Sequence, residues 1–404
     1  MNIEEFREFG KASVDYIADY FENIRKIEVI SQVEPGYLKN DLSEKAPLTG
    51  EPWQDVLQDV DKFIVPGLTH WHSPHFHAYF PTANSFPGIV GELFLSGLGS
   101  LSKDWNAASE STLVGLLCGI QRTVRNTLKL NLHLTKEQIK GKLVAYTSKE
   151  SNSSVEKAGL LASVAMRLLP TDENGSLRGN ILLDAIKRDK EAGLIPCCVV
   201  ATLGTTGTCA FDNLEELGEI CNKEDIWLHV DAAYAGAAFA CPEYRYLMKG
   251  VQYTDSFNFN PHKWMLVNSD CSALWLKNTK DVEEALKVKS TLSKSSSFEH
   301  DIHQWQIPSS RRFRALKLWF VIRIYGVEGI QKHIRHQISL AKYFEHLARS
   351  DDRFEVCISS MGLVCFRLKG EDRLTQDLLD KIFKKEEDIL DALLLQRKNW
   401  WLDL

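Results

Sequence analysis

The middle of the chain alternates apolar runs with amphipathic stretches, and this alternation restricts the folds open to it. KLVAYTS (142–148), PCCVVATLG (196–204) and IWLHVDAA (226–233) are almost continuously apolar, which is typical of strands buried on both faces of a sheet. NLEELGEICNKED (213–225) has the periodicity of a helix. The alternation predicts an α/β fold whose mostly parallel sheet is flanked by helices.

Other stretches have helical patterns. Residues 3–25 and 153–169 are expected to be helices, the second with Ser153 or Ser154 as its N-cap. After Arg311, two helices broken at Gly326 are expected, then strands at RFEVCI and LVCFRLKG, and a final helix over 386–404 ending in Trp400 and Trp401. These patterns predict three parts: an N-terminal helical and dimerisation segment (1–85), a large domain (86–307) and a small, atypical C-terminal α+β domain (308–404).

Composition excludes some classes of protein. A net charge of -6 argues against a nucleic-acid or membrane binder. The apolar stretch GIVGELFLSGLGSL contains Glu92 and is too short to span a bilayer, and the acidic N-terminus lacks a signal core. The nine cysteines include no C-x-x-C pair. We therefore expect a cytoplasmic protein with reduced thiols and without nucleic-acid or membrane partners.

Two charged residues stand in apolar surroundings. Asp231 ends an apolar strand, where ligands of parallel sheets bind, and a carboxylate there needs a cationic partner. Lys263, in NFNPHKW, precedes an apolar segment, and burial would lower its pKa and favour the free amine. A carboxylate for a pyridinium and an amine for a Schiff base are what pyridoxal 5′-phosphate (PLP) requires. From the residues alone, Asp231 as a helix cap or metal ligand and Lys263 as a solvated lysine remain open.

Sequence motifs connect the chain to a known family. ATLGTTGT (201–208), HVDAAYAG (229–236) and NFNPHKW (258–264) resemble the signature segments of PLP-dependent group II decarboxylases. THWHSPHFHAYFPTANS (69–85) and HQWQIPSSRRFRALK (303–317), together with VEPGYL and ICNKEDIWLHVDAAYAG, resemble animal aromatic-L-amino-acid decarboxylases. The resemblance implies a PLP-dependent aminotransferase type I-like fold, an aromatic L-amino acid as substrate and a homodimer with its sites at the subunit interface.

The resemblance also implies roles for individual residues. Lys263 would be the Schiff-base lysine and Asp231 the partner of the pyridine nitrogen. Other cofactor contacts would come from the ring neighbours Thr206 and Ala233 and from the phosphate ligands Ala108, Ser109, Asn260 and His262. An aromatic substrate wall would consist of Trp71, Tyr79, Phe80, Pro81 and Thr82, although such residues also serve packing alone. His70, His72, His75 and His77 lack the complement of a zinc site, so no metal is expected.

The chain also departs from this family. Asn152 stands where the family has a histidine above the cofactor, and an amide does not titrate near neutral pH. Ile302 stands where the family has a tyrosine proton donor. The chain resembles insect relatives that have asparagine at the position of Asn152. Those relatives are aldehyde synthases, which use molecular oxygen. We therefore expect the arylacetaldehyde as product, with a conventional decarboxylase that releases the amine as the alternative.

Several family segments have no recognisable counterpart in this chain. Some tens of residues are missing between Trp105 and Ala107, and the final strands of the family cannot be recognised past Lys385. A catalytically impaired scaffold is therefore a further alternative.

Overall fold

A computed structural model describes residues 1–31, 33–34, 37–38, 51–77, 83–98, 101–102, 111–286, 307, 311–312, 314–385, 391–395 and 399–403. These residues belong to two compact units. The first comprises Met1–Pro81, Asp351–Glu355 and Cys365–Leu404, and the second comprises Thr82–Ser350 and Val356–Val364. The division into three parts expected from the sequence stays a prediction.

The helices of the described chain are α1 (Ile3–Asn23), α2 (Trp53–Asp59), α3 (Phe86–Gly97), α4 (Ser111–Leu130), α5 (Lys136–Lys140), α6 (Ser153–Ala162), α7 (Gly179–Glu191), α8 (Leu214–Glu224), α9 (Pro261–Trp264), α10 (Thr279–Leu286), α11 (Ala315–Ser350) and α12 (Asp372–Lys385). The strands are β1 (Leu101–Ser102), β2 (Leu143–Ser148), β3 (Ala165–Leu169), β4 (Ile195–Thr202), β5 (Trp227–Asp231), β6 (Ser256–Phe259), β7 (Ala273–Leu276), β8 (Arg311–Arg312), β9 (Phe354–Ser360), β10 (Leu363–Leu368), β11 (Asp391–Leu395) and β12 (Asn399–Asp403). None of these helices is long and apolar enough to cross a bilayer.

The second unit is built on a six-stranded sheet in the order β3-β2-β4-β5-β6-β7. Its strands are parallel except β7, which runs antiparallel to β6. One apolar cluster on this sheet contains Leu228 and Val230, and a second contains Trp227 from the same strand. Side chains of successive residues point to opposite faces of a strand, so β5 is buried on both faces. The expected α/β fold with a mainly parallel sheet is confirmed.

The single helix expected over 153–169 is wrong in its second half. The helix α6 ends at Ala162, and Ser163 adopts a left-handed conformation with φ 55°. Residues Ala165–Leu169 then form β3, which pairs in parallel with β2. A short run of leucines, methionine and arginine is compatible with the periodicity of a helix and with that of a strand. Its backbone hydrogen bonds to β2 make it a strand.

The helix expected over 386–404 is also wrong where the structure describes it. Asp391–Leu395 and Asn399–Asp403 are antiparallel strands, with Leu393 opposite Trp401. The strand β12 also pairs with β10, placing Asp403 opposite Cys365. Aromatic residues favour strands, and the two apolar runs are separated by four polar residues, which suits a hairpin. Strands therefore follow Lys385, although the sequence did not allow them to be recognised.

Other expected elements are confirmed. The helix α1 begins after Asn2, whose side chain accepts a hydrogen bond from the Glu5 amide while the Glu5 carboxylate accepts one from the Asn2 amide. The helix α11 is interrupted at Gly326, which has φ 65° and ψ 176°. A glycine adopts this conformation without the penalty that a Cβ brings, so the predicted break falls at the predicted residue.

Candidate active site

The carboxyl ends of β4, β5 and β6 lie side by side. Thr202 is in register with Asp231, and Asp231 is in register with Asn258. Asp231 is only 7% exposed although it ends its strand. Crevices at the carboxyl ends of parallel strands are where α/β proteins bind ligands. This edge of the sheet is therefore the candidate active site.

The carboxylate of Asp231 is held by one of its two oxygens. Its Oδ1 accepts a hydrogen bond from the Ala233 amide at 3.0 Å, and the Asn258 side-chain amide lies 3.5 Å from the same atom. Among the hydrogen bonds of the described chain, none involves Oδ2 of Asp231. A carboxylate oxygen that retains its acceptor capacity suits a cationic ligand.

Lys263 lies in the short helix α9, directly after β6. Its backbone amide donates to the carbonyl of Asn260 at 2.9 Å. Burial lowers the pKa of the Lys263 amine, and the negative charge of Asp231 partly counteracts this effect. The amine and the carboxylate thus act on each other, and the depressed pKa favours the uncharged, nucleophilic amine.

The residues between Asp231 and Lys263 supply further polar groups. Asn260 donates its backbone amide to the Ala233 carbonyl at 3.0 Å, and its side-chain Oδ1 is buried without a hydrogen-bond partner. The Nδ1 atom of His262 lies 2.6 Å from the Cys271 carbonyl oxygen, which fixes the ring. Burial lowers the pKa of His262, so its imidazole is neutral near neutral pH.

Asn152 and Thr206 meet at the start of α6. The Asn152 amide nitrogen donates to Oγ1 of Thr206 at 3.0 Å, and its Oδ1 accepts from the Ser154 backbone amide at 3.0 Å. Asn152 is therefore the N-cap of α6, and the expectation of Ser153 or Ser154 in this role is wrong. The chain is still extended at Asn152, with φ -64° and ψ 144°, and this is the conformation that an N-cap adopts.

Several residues proposed from the sequence cannot be placed. The phosphate ligands Ala108 and Ser109 and the loop residue Ile302 lie outside the described residues, as do four members of the substrate wall, Tyr79, Phe80, Pro81 and Thr82. The fifth, Trp71, belongs to the first unit, where its ring stacks on Phe76 at 5.2 Å. The roles of all these residues remain predictions.

The histidine-rich loop of the first unit has an identifiable contact. His70 is buried, and its Nδ1 lies 2.8 Å from the Tyr20 hydroxyl. Within the described ranges, no group of three or more histidine, cysteine or carboxylate side chains is arranged to hold a metal ion.

The structure also reveals polar residues that the sequence did not single out. Buried oxygens without a hydrogen-bond partner occur at the carboxyl ends of two strands of the sheet, in Ser148 and Thr202. His229 is fully buried two residues before Asp231. A polar cofactor would satisfy such atoms, so the site fits PLP. The signal available in the sequence was the recurrence of polar residues at every second position of β5 and β6.

Comparison with known proteins identifies the family. The profile of the pyridoxal-dependent decarboxylase conserved domain matches residues 35–108 and 104–369. Over 427 aligned positions, the chain is 46% identical to aromatic-L-amino-acid decarboxylase of Mus musculus, covering 95% of this chain and 89% of that protein. The chain belongs to the aromatic-L-amino-acid decarboxylase family. Its cofactor is PLP.

Two further relatives are relevant to the chemistry. The chain is 44% identical to 3,4-dihydroxyphenylacetaldehyde synthase of Aedes aegypti, over 96% of this chain and 83% of that protein. The crystal structure of Oryza sativa TDC with PLP and tryptamine superposes with a TM-score of 0.94 at 28% identity, covering all of this chain and 94% of that one. That of Rhodiola rosea 4-hydroxyphenylacetaldehyde synthase has a TM-score of 0.89 at 34% identity, covering 100% of this chain and 93% of that one.

The alignments also bear on the segment missing after Trp105. The family profile matches in two pieces that meet at residues 104–108. The alignment with the mouse protein has 427 positions but includes only 95% of a 404-residue chain, so some residues of the mouse protein have no counterpart here. Both facts agree with an internal segment that this chain lacks.

Proposed function

We propose that this protein removes CO2 from a dopa-like aromatic L-amino acid and releases the arylacetaldehyde, with molecular oxygen as the oxidant. The balanced reaction consumes the amino acid, O2 and H2O and yields the aldehyde, CO2, NH3 and H2O2. The observation that carries the choice of aldehyde is the environment of Asn152. Relatives at similar identity include both decarboxylases and an aldehyde synthase, so similarity alone does not decide between the products.

The cofactor would be held by residues at the carboxyl ends of β5 and β6. We assign Lys263 as the amine that binds it covalently, Asp231 as the partner of its pyridine nitrogen and Ala233 and Thr206 as contacts of its ring. Asn260 and His262, with Ala108 and Ser109, would bind its phosphate. Bound PLP supplies the electron sink that makes loss of CO2 possible.

Asn152 determines the fate of the substrate after loss of CO2. Formation of an amine requires a proton at the substrate Cα, and a residue that titrates near neutral pH can deliver one. The amide of Asn152 does not titrate in this range, and its oxygen and nitrogen already bond to Ser154 and Thr206. Proton delivery to Cα is therefore slow, and O2 can oxidise the electron-rich substrate first. The proposed loss of a proton donor at Ile302 acts in the same direction.

Substrate selection would rest on the wall of Trp71, Tyr79, Phe80, Pro81 and Thr82. Aromatic side chains favour a flat ring, and the threonine hydroxyl could bond to a ring hydroxyl. This arrangement underlies the choice of a dopa-like substrate. We place the reaction in the cytoplasm.

A homodimer is the proposed assembly, because the second unit exposes a large apolar surface. On α3 and directly after it, the exposed apolar side chains are Phe86, Val90, Leu93, Phe94 and Leu98, and on α11 they are Trp319, Ile322, Ile324, Tyr325 and Val327. Phe94 stacks on Phe320 at 5.6 Å, so the two helices form one continuous patch. Patches of this kind mark interaction surfaces, and a second copy of the chain is the occupant that the family implies.

The test measures oxygen uptake and products together. Purified holoenzyme is incubated with dopa in an oxygen electrode, and amine, aldehyde and H2O2 are quantified by chromatography and a peroxidase assay. We expect O2 uptake to equal CO2 release, with amine as a minor product. Stoichiometric amine without O2 uptake would instead establish the conventional decarboxylase, and absence of any product would favour the impaired scaffold.

A matched pair of variants tests the role of Asn152. Asn152→His introduces a titratable group and should shift the ratio of products towards amine. Asn152→Ser retains a good helix cap but no titratable group, so it should continue to give aldehyde. An equal shift in both variants would show that the altered cap, and not proton delivery, controls the product.

A further inference from the structure

A line of buried polar side chains crosses β5 and β6 and ends at Asp231. Trp227, His229 and Asp231 occupy alternate positions of β5, and Ser256 and Asn258 occupy alternate positions of β6. His229 is in register with Ser256, and Asp231 with Asn258. Alternate residues share one face of a sheet, so all five side chains lie on the same face. Their exposed fractions range from 0% for His229 to 7% for Asp231.

The first two hydrogen bonds of this line have a fixed direction. Nε1 of Trp227 lies 2.9 Å from Oγ of Ser256, and an indole N–H can only donate. The same Oγ lies 2.8 Å from Nδ1 of His229, the only acceptor that the described residues offer to this hydroxyl. The hydroxyl therefore donates to Nδ1, and the proton of the neutral imidazole lies on Nε2.

The protonation of the imidazole at Nε2 also determines which atom of the Asn258 amide faces it. Burial lowers the pKa of His229 to about 4, and the negative charge of Asp231 partly counteracts this effect. In the described part of the chain, His229 Nε2 and Asn258 Oδ1 are both buried without a partner within hydrogen-bond distance. The register of β5 against β6 makes these two side chains diagonal neighbours on one face of the sheet. An N–H facing the amide oxygen turns the amide nitrogen towards Asp231, where Nδ2 lies 3.5 Å from Oδ1.

Close packing against α4 covers the Nδ1 side of the His229 imidazole. Gly115 of α4 lies so near that a Cβ at this position would be 2.7 Å from His229 Nδ1. The helix therefore covers the imidazole directly and leaves no room there for a water molecule that could supply a different proton. The orientation of this side of the imidazole therefore comes from Ser256.

We propose that these four side chains form a one-directional hydrogen-bond relay that positions an N–H against Asp231 and keeps it ionised beside the pyridine nitrogen of bound PLP. Trp227, Ser256, His229 and Asn258 are then positioning residues, and the inference rests on the proposed role of Asp231. If the relay were reversed, the amide oxygen would face the carboxylate. Two acceptors repel each other, so a proton would move onto Asp231 and away from the pyridine nitrogen.

The experiment observes the pyridine nitrogen directly. Holoenzyme is reconstituted with PLP labelled with nitrogen-15 at the ring nitrogen, and its NMR chemical shift reports whether that nitrogen carries a proton. In Ser256→Ala and His229→Leu we expect the signal to move from the protonated towards the neutral range. We also expect kcat to fall by about 10- to 100-fold, as for other residues that orient a catalytic group, with little change in KM.

Matched variants separate the relay from simple packing. His229→Gln should restore most of the wild-type signal, because its amide nitrogen can donate from the position of Nε2. Thr147→Val removes another fully buried hydroxyl of the same sheet, whose Oγ1 bonds to the Val200 carbonyl at 2.9 Å. It should leave the nitrogen signal unchanged even if stability falls. If Ser256→Ala does not fold, Trp227→Phe removes only the first donor and should produce a smaller shift in the same direction.

The outcomes distinguish this inference from the proposed function. If the relay variants all keep the wild-type nitrogen signal while Asp231→Asn loses it, Asp231 acts without the relay and the inference is overturned. If Asp231→Asn also keeps that signal, the assignment of Asp231 itself is wrong. Neither result depends on which product the enzyme releases.

Discussion

The buried imidazole of His229 should make the stability of the protein depend on pH. Burial lowers its pKa from 6.5 to about 4. Between these values the unfolded chain binds a proton that the folded protein does not, so the free energy of unfolding decreases as the pH falls through this window. The full difference corresponds to about 3 kcal/mol, and the part lost between about pH 7 and about pH 5 is about 2 kcal/mol.

The assay compares wild type with His229→Gln. Urea unfolding of both apoproteins is followed by circular dichroism near neutral pH and about two pH units lower, within the window set by the two pKa values. Other histidines with a lowered pKa, such as His70 and His262, contribute equally to both proteins and cancel in the comparison. Wild type should lose about 2 kcal/mol more than the variant over this interval. Equal losses would refute the claim that a neutral, buried His229 is the source of the pH dependence.

Further predictions concern the cofactor and the proposed dimer surface. Borohydride reduction of the holoenzyme should place the PLP label on Lys263 in peptide mapping, and a label on another lysine would overturn that assignment. Asp231→Asn should retain covalently bound PLP by absorbance but lose about a thousandfold in kcat. Glu92→Gln should lower the free energy of unfolding by about 3 kcal/mol, because the side chain of its ion-pair partner Lys317 is fully buried, and Glu92→Gln/Lys317→Met should recover most of this in urea titrations. Leu93→Glu should yield a monomer in sedimentation, and an unchanged dimer would exclude this face.

The extent to which the sequence predicts the fold depends on how it encodes each element. The strands β4 and β5 were predictable because an almost continuously apolar run is typical of strands buried on both faces. Residues 165–169 and 391–403 were not, since short runs of leucine and tryptophan fit a helix or a strand. Pairing with β2 and β10, which lie elsewhere in the chain, decides their conformation. Tertiary hydrogen bonding therefore overrides local pattern in β3, β11 and β12.

Some residues of the candidate site could likewise be recognised from the sequence, and others could not. Asp231 and Lys263 could be recognised because a charged residue within apolar sequence is costly and needs a reason. The N-cap role of Asn152 required the geometry, since Ser153 and Ser154 are equally suitable caps by composition. His229 was passed over because its partner Ser256 lies on another strand. Their pairing depends on the register of β5 against β6, which no local pattern specifies.

The alternation of side chains between the two faces of β5 links the hydrophobic core to the candidate active site. Leu228 and Val230 point into one apolar cluster, which leaves Trp227, His229 and Asp231 on the other face. A buried acid at the strand end needs donors around it, and the Ala233 amide after β5 and the Asn258 side chain of β6 supply them. A shift of one residue in the register of β6 would turn Ser256 and Asn258 to the opposite face. The pairing that stabilises the sheet thus also determines which polar side chains lie beside Asp231, so the fold and the candidate active site depend on one register.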